Sequence, residues 1–277
     1  MSGEWEIERL DLDAYLQRIG YDADLNADGR TLSGLHRAHM AAIPFENLDV
    51  VLGRGVAVDL DSVQRKLVDA RRGGYCYEHG LLFGAVLERV GFTVDRLLAR
   101  IGDDTERPRP RTHMALHVHR DEEQWLADVG FGGGLREPLV WGDTRPHRQG
   151  GWTYRMTPTP SGSWHLGERL GSQWAVLYSL GPEPQHAADV VMANHFTSTY
   201  PDSPFVGQPV VMRNDDDLRR RLRGRELSLV RPDGSTEQRR LTDTELTVFL
   251  RDDMGLPLTD TELASILGVL PAYAESG

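Results

Sequence analysis

The chain has 277 residues and a net charge of −11, from 31 Lys and Arg against 42 Asp and Glu. Hydrophobic residues at 39% and charged residues at 26% are ordinary for a folded globular chain, which excludes disorder throughout. The acidity excludes general binding to nucleic acid or to an anionic membrane. No apolar run approaches the ~18 residues of a membrane span, and MSGEWEIERL lacks the basic start of a signal peptide, so the cytoplasm is the expected compartment.

At roughly 100–200 residues per domain, the length allows one large domain or two to three small ones. Leu10, Tyr15, Leu16 and Ile19 recur at helical spacing, and Gly20 ends that segment. Thr31 is expected to cap a second helix through Leu35 and His39 toward Ile43, stopped by Pro44. Asp61 or Ser62 is expected to cap a third through Val63, Leu67 and Val68. A fourth begins near Cys76 and ends near Val90, with Gly91 behind it. Its Leu81, Leu82, Phe83, Val86, Leu87 and Val90 cover most of its circumference, as in a buried central helix.

From Thr93 the pattern changes to short alternating runs at 93–101, 113–119, 124–130, 138–141, 152–158, 163–168 and 173–180. Gly, Pro, Asp and Arg clusters separate them, which predicts an antiparallel sheet or small barrel. Segment 101–111 is a polar, Pro-containing loop, and a helix follows Pro184 to about Ser198. The remainder mixes strands at 208–213, 226–231 and 236–241 with helices at 243–252 and 259–267.

Cys76 is the single cysteine, so the chain forms no internal disulfide and no thiolate zinc cage. It follows Arg71, Arg72 and the pair Gly73–Gly74, and it opens a helix. Unpaired N–H groups, the helix dipole and the two arginines all favour a thiolate there. The bland alternative is a buried structural cysteine.

A nucleophilic thiol needs a base, and the base needs an orienting group. Segment 113–130 reads as a hairpin turning within Arg120–Glu123. A two-residue turn at 120–121 sets His113 opposite Asp128, and a four-residue loop sets it diagonal. Either register puts His113 and Asp128 on one face and Met114, Leu116, Val118, Trp125, Ala127 and Val129 on the other. A competing reading gathers His113, His117 and His119 with Asp128 or Glu122 around a metal ion. Solvent exposure of His117 and His119 near the hairpin tip is the simpler alternative.

Taken together, these segments resemble the arylamine N-acetyltransferase family. Ile43–Asp49 resembles its IPFENLD segment, Arg72–Glu78 its RGGxCxE nucleophile motif, and Asp128–Gly133 its DVGFGG segment. Thr112-His113 opens the strand that carries the family's histidine, and Ser198–Pro201 is a fainter match near the third domain.

The resemblance implies an α+β fold. A helical N-terminal domain (1–92) carries the nucleophile, an antiparallel β-barrel (93–200) carries His and Asp, and an α/β lid (201–277) follows. The site is cysteine-protease-like. It implies transfer of acetyl from acetyl-CoA, through a Cys76 thioester, to an arylamine or arylhydrazine, with O-acetylation of N-hydroxyarylamines as an extension. His113 and Asp128 complete the triad, and no metal takes part. Phe45, Tyr77, Phe131 and Phe205 match positions lining the acceptor pocket. Gly132, Gly133 and Gly134 match a loop near the pantetheine and phosphates of coenzyme A. Glu46 with Arg71 or Arg72 resembles a structural ion pair beneath the nucleophile. Two departures stand out: Gly80 replaces the usual asparagine, and Tyr200 a more usual histidine. The rival readings are an amide synthase that releases a polyketide by macrolactam formation, and a non-catalytic binding protein of this fold.

Overall fold

The computed structural model describes residues 3–103 and 109–272. Residues 104–108 of the expected 101–111 loop lie outside the described residues. The chain opens with a 3₁₀ turn at Ile7–Arg9, then α1 (Leu12–Ile19) and α2 (Gly29–Ala42). Next come a two-residue strand β1 (Phe45–Glu46), α3 (Leu48–Val51) and α4 (Leu60–Gln64), which runs into a π turn at Arg65–Asp69. Then comes α5 (Cys76–Val90). Gly20 and Gly91 end α1 and α5 in the left-handed region, where a Cβ would be strained. Two caps differ from expectation. Asp28, not Thr31, starts α2, and Asp59, not Asp61 or Ser62, starts α4. In each case the carboxylate accepts from the N–H three residues on, at 2.8 Å from Thr31 and 2.9 Å from Ser62. An acid reaching forward to N3 outcompetes a cap one turn later.

The middle of the chain holds β2 (Thr93–Ile101), β3 (Arg111–Arg120), β4 (Glu123–Ala127), β5 (Leu139–Val140), β6 (His147–Gln149), β7 (Trp152–Pro158), β8 (Trp164–Leu170) and β9 (Gln173–Leu180). They form an antiparallel sheet in the order β5-β4-β3-β2-β9-β8-β7-β6, curled into a nearly closed barrel. Leu97, Ala115, Leu126, Trp152, Tyr154 and Leu166 fill one shared core. Met114, Leu116, Val118, Trp125, Ala127 and Val129 instead join the core of the helices. β3 and β4 are therefore buried on both faces, and α5 is fully buried along most of its length.

After α6 (Ala187–Thr199) come β10 (Val210–Asn214), β11 (Arg219–Arg223), β12 (Glu226–Val230) and β13 (Thr236–Arg240). α7 (Asp243–Val248), a π turn at Phe249–Asp253 and α8 (Asp260–Gly268) follow. The second sheet has the order β1-β10-β11-β12-β13. Its first strand comes from the helical part of the chain, which corrects the expectation of helix alone there. One face, with Val211, Leu222 and Leu227, packs on Leu246, Leu250 and Leu263 of the last helices. The other face, with Phe45 and Met212, turns toward the helical core. Strands β6 and β11 were not anticipated, because HRQ and RRRLR carry almost no apolar residue to mark a period of two.

Candidate active site

Gly73 and Gly74 feed the chain into α5 under close packing. A Cβ on Gly73 would collide with the Pro44 carbonyl, and one on Gly74 would stand 2.8 Å from Glu78 Oε2. Glu78 accepts from the Tyr75 N–H at 3.0 Å, which satisfies an orphan donor at the start of α5. Cys76 is buried there, with its thiol toward the Thr112 carbonyl at 3.7 Å.

The hairpin pairs Leu116 with Ala127 and Arg120 with Glu123, so the turn is Asp121–Glu122. This is the diagonal register of the two derived from the sequence. The strand pairing ends at Ala127, and Asp128 lies just beyond it on the His113 face. His113 Nε2 meets Asp128 Oδ2 at 2.7 Å, both fully buried. Nδ1, the ring nitrogen that Asp128 does not engage, remains available, and the nearby Cys76 helps to hold the imidazole's charge. Burial alone would lower the pKa of His113. The Asp128 charge and hydrogen bond, with Cys76, push it up to about 10. Burial raises Asp128, and His113 with the Gly130 N–H at 3.0 Å brings it below the usual carboxylate range.

Three neighbours escaped the sequence reading. His36 Nε2 accepts from the Asp128 N–H at 3.2 Å while its Nδ1–H donates to the Arg136 carbonyl at 3.0 Å. Gly130 passes so close to the nucleophile that a Cβ would stand 2.9 Å from Cys76 Cα and O. The Tyr178 ring lies 4.9 Å from the His113 ring, and its hydroxyl sits near Asp128 without hydrogen-bond geometry. His36 and Tyr178 had no local signal and Gly130 only that of the Asp128–Gly133 segment, since each acts through contacts made across the fold.

Beneath the thiol lies an ion network. Arg72 binds Glu46 Oε1 through Nε at 3.1 Å and through a terminal nitrogen at 2.9 Å, so Arg72 rather than Arg71 is the partner. Lys66, the only lysine, bridges Asp49 and Glu78 at 2.8 Å each. Burial pushes Glu78 up to about 7, with Lys66 opposing.

The N-acetyltransferase family model matches residues 28–263. An arylamine N-acetyltransferase of Mycolicibacterium smegmatis is 40% identical over 237 residues, covering 82% of this chain and 85% of the relative. The chain belongs to the arylamine N-acetyltransferase family. It is an acetyltransferase with the α+β fold of that family. The solved structure of the Mycobacterium abscessus arylamine N-acetyltransferase superposes with a TM-score of 0.91 at 37% identity, covering 96% of each chain. That of the Mycobacterium marinum arylamine N-acetyltransferase in complex with CoA superposes at 0.86 and 33% identity, covering 94% of this chain and all of the other.

The four rings that the resemblance leads one to expect around an acceptor fall into two groups. Phe45 and Phe205 lie 5.8 Å apart, centroid to centroid, beside Tyr75. Phe131 lies across His113, edge to face at 5.1 Å. Tyr77 is fully buried below them, its hydroxyl 3.1 Å from Thr197 Oγ1. Asn47 holds Phe205 in place by donating to the carbonyls of Phe205 and Gln208, at 2.7 and 2.9 Å.

Gly132, Gly133 and Gly134 are buried against protein. A Cβ on Gly132 would stand 2.8 Å from Met212 and 2.9 Å from Phe45, and one on Gly133 3.0 Å from Arg219. Met212 pairs with Arg221 in the second sheet, and Val210 with Arg223, so these arginines share the Phe45 face. Arg221 and Arg223 are exposed, and Arg221 has no ion-pair partner among the described residues. The competing metal grouping of His113, His117 and His119 with Asp128 or Glu122 is not assembled. His113 faces Cys76 and Asp128, while His117 and His119 gather with Asp95 farther along β3.

Proposed function

We propose that this enzyme transfers acetyl from acetyl-CoA to arylamines and arylhydrazines through a Cys76 thioester. The observation that carries this reading is the buried 2.7 Å His113–Asp128 contact with Cys76 against the same imidazole. The Cys76 thiolate attacks the acetyl carbonyl carbon. Its sulfur–carbon bond forms, the bond to coenzyme A breaks, and the departing thiolate takes a proton from His113. The amine nitrogen then attacks the thioester. The carbon–nitrogen bond forms, Cys76 leaves as thiolate, and His113 receives the amine proton. Asp128 holds the Nε2–H and stabilises the imidazolium. Free N–H groups at the start of α5 stand near the carbonyl oxygen in each step.

The attacking amine must be neutral. Aryl amines are weak bases and meet that condition at pH 7, and Phe45, Phe131 and Phe205 offer their rings an apolar wall, with Tyr77 as its support. The same thioester would serve N-hydroxyarylamine oxygen. Gly132–Gly134 let Phe45, Met212 and Arg219 pack closely beside the site, and Arg221 and Arg223 supply positive charge for the phosphates of coenzyme A. The cytoplasm, where acetyl-CoA is used, is the compartment this reading assigns.

Initial rates over both substrates test the order of events. Parallel double-reciprocal lines and inactive Cys76→Ala protein are expected. Intersecting lines, or an active Cys76→Ala variant, contradict the reading. Arg221→Ser is expected to raise KM for acetyl-CoA about fivefold, ~1 kcal/mol for one exposed charge, and to leave KM for the amine unchanged.

A further inference from the structure

His117 and His119 project from the same face of β3, and Asp95 lies on β2 directly opposite His117. One ligand atom from each falls within 4.8 Å of the others. His119 Nε2 and Asp95 Oδ2 are 2.8 Å apart. The two imidazole rings stand with centroids 4.0 Å apart. The His117 ring is held from its other side by Trp141, stacked at 3.9 Å, and Gln124 Oε1 lies 3.1 Å from its Nε2. Nothing in the acetyl-transfer reaction uses these groups.

We propose that Asp95, His117 and His119 form a binding site for one divalent transition ion of the Zn²⁺ class, separate from the acetyl-transfer centre. Two imidazoles and one carboxylate are the donor set that Zn²⁺ and its borderline neighbours prefer, whereas Ca²⁺ and Mg²⁺ favour all-oxygen sites. Tetrahedral ligation with bonds of about 2.0–2.1 Å sets neighbouring ligand atoms about 3.4 Å apart. The three ligand atoms already lie within 4.8 Å of one another, and side-chain rotation brings them to that spacing. His117 is buried. Gln124 Oε1 only accepts, so His117 Nε2 carries the ring proton and Nδ1 is the nitrogen whose lone pair is open to the ion. The His119 and Asp95 side chains are 25% and 31% exposed, which gives the ion a route in and leaves its fourth position to water. His117 and His119 lie four and six residues from His113 on one strand, about 13–20 Å away. An ion here ties β2 to β3 at the end of the barrel remote from Cys76.

The test is calorimetric titration of tag-free protein with Zn²⁺, after alkylation of Cys76 to remove its thiol as a ligand. One ion per chain and a raised melting temperature are expected. His119→Ala and Asp95→Asn are each expected to weaken binding at least tenfold, the scale at which even outer partners of metal sites act. Both positions are partly exposed, so the variants are expected to fold, checked by circular dichroism. Unalkylated, both variants keep full acetyl transfer. No saturable binding to the parent, or unchanged affinity in both variants, overturns the proposal.

Discussion

His113 is enclosed between a carboxylate and a thiol, and that decides its charge. The folded state favours the imidazolium over the ordinary 6.5, with a pKa of about 10. The stabilisation from this pair is therefore full below pH 6.5 and is lost as pH rises through about 10. Asp128→Asn removes the charge that holds the proton, and burial then drives the imidazole neutral. The variant is expected to form acetyl-enzyme on the order of 10⁴-fold more slowly, the loss associated with breaking the tautomer of such a triad. Stopped-flow release of CoA measures it, and a change below tenfold would show that Asp128 does not set the state of His113. His113 and Asp128 were legible because strand parity carries side-chain direction. Gly80 was legible only as a departure from the family. A Cβ there would meet Met114 Cγ and Sδ at 3.1 Å, so the thioether occupies the space that a larger residue would need. His36 left no local trace, and Gly130 and Asn47 were legible only as members of matched segments, because their partners lie 92, 54 and 158 residues away in sequence.

The start of α5 is held by charge and by a relay of neutral rings. His79 Nε2 lies 3.3 Å from the Pro44 carbonyl, which only accepts, so that nitrogen carries the proton. His79 Nδ1 then accepts from His39 Nε2–H at 2.8 Å, and His39 Nδ1 accepts from the Tyr15 hydroxyl at 2.8 Å. Every group is satisfied only while both rings are neutral. Burial lowers His79 to about 4 and holds His39 well below its ordinary value. Both pKa values are depressed by folding, so this stabilisation is present above pH 6.5 and lost as pH falls toward 4. Urea unfolding is expected to show stability falling steeply through that window and recovering part of the loss in His39→Gln. A flat profile from 6.5 to 4 would contradict the assignment. Lys66→Met leaves Asp49 and Glu78 without their bridging charge and is expected to cost about 3–5 kcal/mol. A loss under 1 kcal/mol in the same assay would show the network to be solvated. The helices α1, α2, α5 and α6 were legible from period, stops and breakers. The caps of α2 and α4 were misplaced because several acids and hydroxyls compete within one turn. β11 was missed because Leu222 is its only apolar residue.

Across the whole molecule, we assign three parts at 1–92, 93–200 and 201–277, and two features tie them together. β1 belongs to the first part by sequence and to the third part's sheet by hydrogen bonds. Asn214 Nδ2 donates to the Gly134 carbonyl at 2.7 Å, and Arg219 binds Glu168 of the barrel. A chain ending at residue 200 is therefore expected to expose Phe45 and the 130–134 loop, aggregate, and show no acetyl transfer. A monomeric, active truncation, by gel filtration and assay, would contradict this. The succession of helices, barrel, and strands mixed with helices was legible from changes in hydrophobic period, whereas the crossing of β1 was not, because two residues carry no period. The account rests on a covalent acetyl-enzyme at Cys76. The most direct test is the intact mass of the protein after mixing with acetyl-CoA and no amine. A gain of one acetyl group, absent in Cys76→Ala and removed by adding an arylamine, is the predicted result. Unchanged mass, with Cys76 still open to a small alkylating reagent, would contradict acetyl-CoA as the donor and the thioester route built on it.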